Sequence, residues 1–189
     1  MKMKAVMNRV IALVAALVVA ASVAAAAPAE QMTERAAYEQ LAKQVRKELV
    51  TLPWYGVFDN LEYQISGSTV TLSGQVVQPP TRKDAERRVS KLKGVERVVN
   101  NIQVLPLSGF DDDIRVRTYR ALFGWNSPLF RYGRGVNPSI HIVVNGGHVT
   151  LEGVVSNEGD RRLANMLANQ VPGVFSVTNN LRNENARAR

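Results

Sequence analysis

The sequence contains the same pattern twice, at a fixed separation of 79 residues. Val70-Thr71-Leu72-Ser73-Gly74 returns, with one substitution, as Val149-Thr150-Leu151-Glu152-Gly153. The same offset carries the segment 94–102 onto the segment 173–181 without a gap. A repeat of this length indicates two copies of one small folding unit. Tandem copies of a small module are typical of binding proteins.

The N-terminal residues have the layout of a secretory signal peptide. Three basic residues among the first nine precede an apolar segment from Val10 to Ala20 and then a run of small residues. We predict that residues 1–29 form a signal peptide that is cleaved after Ala26 or Ala29. The alternative is an uncleaved anchor, because 18 successive uncharged residues come close to the shortest length that spans a bilayer.

Composition narrows the compartment and the partner. The chain has no cysteine, so we predict a core without disulfides and a periplasmic or secreted protein that is not a lipoprotein. Removal of the predicted signal peptide takes away three basic and no acidic residues, which lowers the formal net charge from +8 to +5. This excess favours an acidic partner, and in an exported protein we expect an anionic phospholipid surface rather than nucleic acid.

Each copy of the repeat predicts a helix, two strands, a second helix and a last strand. In the first copy, Leu61, Tyr63 and Ile65 alternate with polar residues, as in a half-buried strand. We therefore predict an α+β protein of two tandem αββαβ modules, each a small mixed three-stranded sheet covered by two helices. The predicted elements are helices at 33–49, 81–92, near 113 onward and 160–171, and strands at 61–65, 70–76, 98–104, 140–144, 149–155 and 177–181. The predicted divisions are module 1 at 33–105, a linker at 106–111, module 2 at 112–183 and a tail at 184–189.

The residue types that usually carry chemistry are scarce. The only histidines, His141 and His148, lack convergent partners, and we predict that both are solvated at the surface. The run 111–113 of three aspartates is predicted to cap the following helix. We therefore expect no enzymatic activity, no metal and no cofactor.

Four glycines recur at equivalent places in the two modules. Gly74 matches Gly153, and Gly94 matches Gly173. They do not form a phosphate-binding motif, and their repetition indicates structural positions.

The two copies differ most after their first helix, where module 2 is longer by about six residues within the segment 124–135. An insertion in a repeat often marks its working face. The segment 114–134 holds five arginines, five aromatic residues and no acid. This combination suits an anionic membrane interface, because aromatic rings lie among headgroups while guanidinium groups bind phosphates. The predicted lipid-binding residues are Arg117, Arg120, Trp125, Phe130, Arg131, Tyr132 and Arg134.

Two other interpretations remain open. Phe123, Trp125 and Phe130 could pack within the protein, although Trp125 follows Gly124 in a loop and is the aromatic residue that we most expect to be exposed. A protein-binding or chaperone-like module would instead act through sheet edges and the outer sheet face, where we expect Val143 and Val154 to point outward.

The repeated segments VTLxGxV and GVxxVxNN, here Val149 to Val155 and Gly173 to Asn180, resemble those of the BON domain. The resemblance covers residues 34–105 and 112–183. It implies a pair of αββαβ domains in an exported bacterial envelope protein, similar to osmotic-stress proteins, that binds phospholipid surfaces or envelope proteins without catalysis. Many such proteins carry an N-terminal lipid on cysteine, which this chain lacks.

Overall fold

The computed structural model describes residues 27–135 and 137–184. The predicted signal peptide therefore lies almost entirely outside the described residues. The chain divides into two compact units between Lys43 and Gln44. Apart from the first part of helix α1, every feature discussed below belongs to the unit that begins at Gln44. None of the helices within the described ranges is both long enough and apolar enough to cross a membrane.

The first module follows the predicted order of elements. They are α1 (Ala27–Val50), β1 (Asn60–Ser66), β2 (Thr69–Val76), α2 (Pro79–Val89), β3 (Arg97–Asn100) and β4 (Gln103–Val104). β1 and β2 form an antiparallel hairpin, and β3 and β4 both pair in parallel with β2. The central strand β2 therefore organises the sheet, and its alternate residues Val70, Leu72 and Val76 are fully buried.

The second module repeats this arrangement. Its elements are α3 (Gly109–Phe123), a 3-10 turn (Phe130–Gly133), β5 (Ile140–Asn145), β6 (His148–Val155), α4 (Glu158–Asn169), β7 (Ser176–Asn179) and β8 (Arg182–Asn183). β6 is the central strand, antiparallel to β5 and parallel to both β7 and β8. The predicted α+β fold of two tandem modules is confirmed.

The last strand of each module is broken in two, where the sequence predicted one strand. An asparagine causes the break. The side-chain oxygen of Asn100 accepts a hydrogen bond from Ile102 N at 3.2 Å, and its amide donates to Arg82 O of α2 at 3.0 Å. Asn179 makes the same two bonds to Leu181 N and Arg161 O, at 3.2 and 2.9 Å. The repeated Asn-Asn pair is therefore a structural feature that ties each sheet to its second helix.

Two helix starts differ from the prediction. α1 begins at Ala27, before the predicted 33, because Ala and Glu favour helix and Pro28 fits a first helical turn. α3 begins at Gly109 because Ser108 caps it, accepting a hydrogen bond from Asp111 N at 3.2 Å. The aspartates of the predicted cap thus lie inside the helix.

The two modules pack against each other through the loop between α1 and β1. The side chains of Val57 and Phe58 pack on the core of module 2. Ile142 N donates to Val57 O at 2.8 Å, and the rings of Phe58 and Tyr119 meet edge to face at 6.2 Å. The docking covers the outer side of β5.

His141 lies in this interface, so the prediction of a solvated side chain was wrong for it. Its Nδ1 lies 3.2 Å from Gly56 O, and its Nε2 lies 3.4 Å from the Tyr55 hydroxyl. Because a carbonyl only accepts, Nδ1 carries the proton and Nε2 accepts from Tyr55. Val143, predicted to point outward, is also covered and is only 4% exposed. His148 is exposed and bonds to Ser176 Oγ at 2.7 Å.

The buried position of His141 has a consequence for stability. Burial lowers the pKa of His141 from its ordinary value of 6.5, so the unfolded chain binds a proton at a pH where the folded chain does not. We expect the free energy of unfolding to decrease as the pH falls through this window, and His141→Gln to remove that decrease. Urea unfolding of both proteins between about pH 8 and about pH 5 measures it.

The exposed histidine provides the matched control, and His148→Gln should keep the pH dependence. Burial raises the pKa of the nearby Asp59 carboxyl, which opposes the histidine effect at lower pH, so the difference between variants isolates His141. Identical pH profiles for the original chain and His141→Gln would show that His141 does not couple to folding.

Candidate functional site

The connection after the first helix is the largest difference between the modules, as the repeat predicted. It spans residues 51–59 in module 1 and 124–139 in module 2, and the latter is called the insertion loop below. Leu129 and Tyr132 anchor the insertion loop in the core of module 2. Ser127 Oγ donates to Leu122 O at 2.6 Å and accepts from Leu129 N at 3.2 Å. These contacts fix the loop on the end of α3.

Trp125 stands at the tip of the anchored loop. Its side chain is 84% exposed, as the sequence led us to expect. Phe130 is half-buried and meets the Trp125 ring edge to face at 5.4 Å, while the guanidinium carbon of Arg134 lies 5.7 Å from the centre of the Phe130 ring. The loop therefore presents an exposed indole supported from beneath by an aromatic ring and flanked by a cation.

Tyr132 is a core residue, although the sequence assigned it to lipid binding. It is only 7% exposed. Its hydroxyl donates to Asp160 Oδ2 at 2.6 Å and accepts from Ser156 N at 2.9 Å. It joins the insertion loop to the start of α4 and does not belong to the exposed surface.

The arginines of this region fall into three groups. Arg115, counted in the basic segment, is buried and donates to Val144 O at 2.8 Å. Arg117 pairs with Asp113 at 3.2 Å, and Arg131 pairs with Asp160. Hydrogen bonds to Tyr132 and Asp160 raise the pKa of Arg131 above its ordinary value. Arg120 and Arg134 have no ion-pair partner within residues 27–135 and 137–184, so their charge is available to a ligand.

A groove runs beside Trp125 between the end of α3, the first residues of the insertion loop and α4. Its cavity volume is about 450 Å³. Leu163 and Leu167 form its floor, Trp125 and Pro128 form one wall, and Arg120 lies on its rim. The sequence did not single out the two leucines, although their spacing of four on α4 places them on one helix face.

A second exposed aromatic cluster lies at the opposite end of α3. Phe110 and Phe175 are both exposed, and their ring centres are 5.8 Å apart. Phe175 packs over Gly147, where a Cβ atom would lie 2.6 Å from its ring. At the equivalent place in module 1, Ser68 Oγ donates to Glu96 at 2.8 Å. The repeat could have identified this exchange of a polar pair for an aromatic one, because the offset aligns Glu96 with Phe175.

The described residues contain no group of three or more His, Cys, Asp or Glu side chains that could hold a metal ion. The carboxylates with the most buried positions have structural partners. Asp59 accepts from Gly56 N at 2.8 Å and Val77 N at 2.7 Å, and Asp111 accepts from Gly146 N and Gly147 N at 2.9 and 2.8 Å. Both carboxylates close turns. The geometry of the groove and of Trp125 is that of a binding surface.

Comparison with known proteins agrees with the repeat. The family model described as "BON domain" matches residues 38–106 and 111–185, well over half of the chain. No curated protein matches the sequence. Two solved structures of CdsD, a structural protein of the type III secretion system of Chlamydia trachomatis, are similar in fold. The C-terminal domain of CdsD has 11% identity and a TM-score of 0.26, with 74% of this chain and 94% of that chain covered. The other structure has 12% identity and a TM-score of 0.28, with 79% and 95% covered.

Proposed function

The chain belongs to the BON domain family, and on that premise we propose that it is an exported envelope protein that binds anionic phospholipid surfaces through module 2 and supports envelope integrity or stress tolerance. Domains of this family are known for envelope or membrane association and are generally non-catalytic. In this proposal, the protein is peripheral to the membrane, and the contact is made by the end of α3 and the insertion loop.

The observation that carries the proposal is the exposure of Trp125 on an anchored loop. A tryptophan in water is costly unless something covers it, and the indole ring is suited to the headgroup layer of a bilayer. Arg120 lies beside Trp125 at the groove, and Arg134 lies over the Phe130 ring that Trp125 contacts. Each basic side chain near an anionic surface contributes about 1 kcal/mol, so these two strengthen what the indole begins.

The structure refines the set of residues in the proposed contact. Arg120, Trp125, Phe130 and Arg134 remain as direct lipid contacts. Arg117 and Arg131 are held by Asp113 and Asp160, and they contribute mainly to the shape of the surface. Tyr132 acts from the core by holding the loop.

Liposome co-sedimentation tests the proposal through Trp125→Ala. Loss of roughly 100 Å² of buried indole surface costs about 2 kcal/mol, so we expect about 30-fold weaker binding to vesicles that contain phosphatidylglycerol. Vesicles of pure phosphatidylcholine should bind weakly, and higher salt should weaken binding to the anionic vesicles because the attraction is screened.

Module 1 offers a matched control for this experiment. Trp54 occupies the corresponding loop and is 60% exposed, but no insertion loop or groove adjoins it. Trp54→Ala should leave vesicle binding unchanged. Equal binding of Trp125→Ala and the original chain, or equal binding to anionic and neutral vesicles, would disprove the proposed membrane contact.

A protein-binding function is the second candidate, and the exposed pair Phe110 and Phe175 favours it. The pair offers an apolar contact that module 1 lacks at the equivalent position. The outer sheet face is less available than the sequence suggested, because Val143 is buried. This candidate predicts binding that is insensitive to salt, unchanged in Trp125→Ala and without lipid selectivity.

A further inference from the structure

The groove beside Trp125 is more than an exposed patch, because it has a floor, a wall and a rim. Leu163 and Leu167 are half-buried and pack against the core of module 2, so the floor is fixed in place. The volume of about 450 Å³ lies within the range of pockets that hold small molecules. Adsorption to a flat bilayer surface does not require such a concavity.

The charges around the groove select the kind of occupant. No acidic residue lines it. Arg120 lies on the rim, and its guanidinium has no carboxylate partner in the part of the chain that the structure describes. An occupant with an apolar body and one negatively charged end would therefore match both the leucine floor and the arginine.

We propose that the groove binds an individual anionic phospholipid, with one acyl chain on the leucine floor against Trp125 and the phosphate on Arg120. This inference rests on the proposed membrane function and adds to it a discrete site with one lipid per protein. In the membrane-bound protein, the acyl chain leaves its neighbours and occupies the groove while the headgroup stays at the interface. The bilayer contact then depends on shape as well as on charge.

Monomeric lipid separates a discrete site from surface adsorption. In a nuclear magnetic resonance titration of the full chain with dihexanoyl phosphatidylglycerol below its micelle-forming concentration, we expect saturable one-to-one binding. The shifted signals should include the Trp125 indole and the methyl groups of Leu163 and Leu167. Dihexanoyl phosphatidylcholine should bind about fivefold more weakly because it lacks the net negative charge, and glycerol phosphate, which lacks the acyl chain, should not saturate the site.

A groove-filling variant tests the location. Ala121 lines the groove, so Ala121→Phe should reduce monomer binding at least tenfold. Val116 lies on the same helix, is exposed and does not line the groove, so Val116→Phe adds an equal ring elsewhere and should leave monomer binding unchanged. Both variants should still sediment with anionic vesicles, which also shows that they are folded.

The outcomes distinguish this inference from the proposed function. Signals that shift without saturation, signals that shift away from the groove, or full monomer binding by Ala121→Phe would overturn the discrete site even when vesicle binding is intact. Saturable monomer binding at the groove supports the site, and absence of vesicle binding by the original chain would then count against the proposed membrane function alone. The titration of the original chain needs no variant, so misfolding of Ala121→Phe does not protect the proposal.

Discussion

Gly153→Ala is expected to lower the free energy of unfolding by about 4 kcal/mol, because it combines a strained backbone conformation with a steric clash. Gly153 has a φ of +121° within β6, a region that residues with a side chain rarely adopt. A Cβ atom there would lie far inside van der Waals contact with Ser139 O and 3.0 Å from Ser139 C. That carbonyl accepts from Val154 N at 2.9 Å, so it cannot move without breaking the start of the β5–β6 pairing.

Gly146 gives the matched control for this prediction. It has a φ of +59°, but a Cβ atom there would meet nothing within 4 Å, so Gly146→Ala should cost only about 1 kcal/mol. Gly74 has the same environment as Gly153, with φ +111° and its Cβ position blocked by Asn60 O, and Gly74→Ala should be as costly in module 1. Urea unfolding measures all three. If Gly153→Ala costs no more than Gly146→Ala, the close approach of the carbonyl is not what fixes the glycine.

The internal repeat explains why so much of the fold could be predicted from one sequence. Alternation of apolar residues identified β2 and β6, and the offset of 79 residues supplied an alignment that singled out Gly74 and Gly153 as equivalent. These signals are local, because they depend on which side chains of one element face its own core. The broken last strand was missed because the bonds of Asn100 and Asn179 reach back to a helix 18 residues earlier in the chain.

Contacts between the modules explain most of the errors. His141 and Val143 lie on the face of β5 that is exposed in an isolated module, and their polar and apolar alternation is correct for such a module. Docking of the loop with Val57 and Phe58 covers that face. Periodicity within an element does not encode which loop of another module will cover it, so the burial of His141 could not be obtained from its position in the strand.

The candidate site was predicted in part for the same reason. Trp125 was expected to be exposed because a glycine places it in a loop, and that local signal was correct. The sequence around Arg131 contains no acid, but Asp160 reaches it from the start of α4. Likewise, Leu163 and Leu167 become part of the groove only because α4 packs beside α3.

Asp111 is the second residue whose replacement should have a large effect. Its carboxylate is 2% exposed and accepts from Gly146 N and Gly147 N at the tip of the β5–β6 hairpin. Asp111→Ala leaves both amides without this acceptor in a buried place, so we expect a loss of about 3 to 5 kcal/mol in the free energy of unfolding. Asp111→Asn should restore only part of it, because one of its two oxygens becomes an amide donor that faces another donor.

The neighbouring aspartate separates a turn-holding carboxylate from a helix-capping one. Asp113 is exposed and pairs only with Arg117 at the surface, so Asp113→Ala should cost no more than about 1 kcal/mol. Equal losses for Asp111→Ala and Asp113→Ala in urea unfolding would mean that both act through the helix dipole alone, as the sequence suggested. The spacing already contains the distinction, because Asp111 continues the buried face of Ile114, Thr118 and Leu122 while Asp113 lies off it. Hydrogen exchange adds a local measure: the Gly147 amide should lose its protection in Asp111→Ala and keep it in Asp113→Ala.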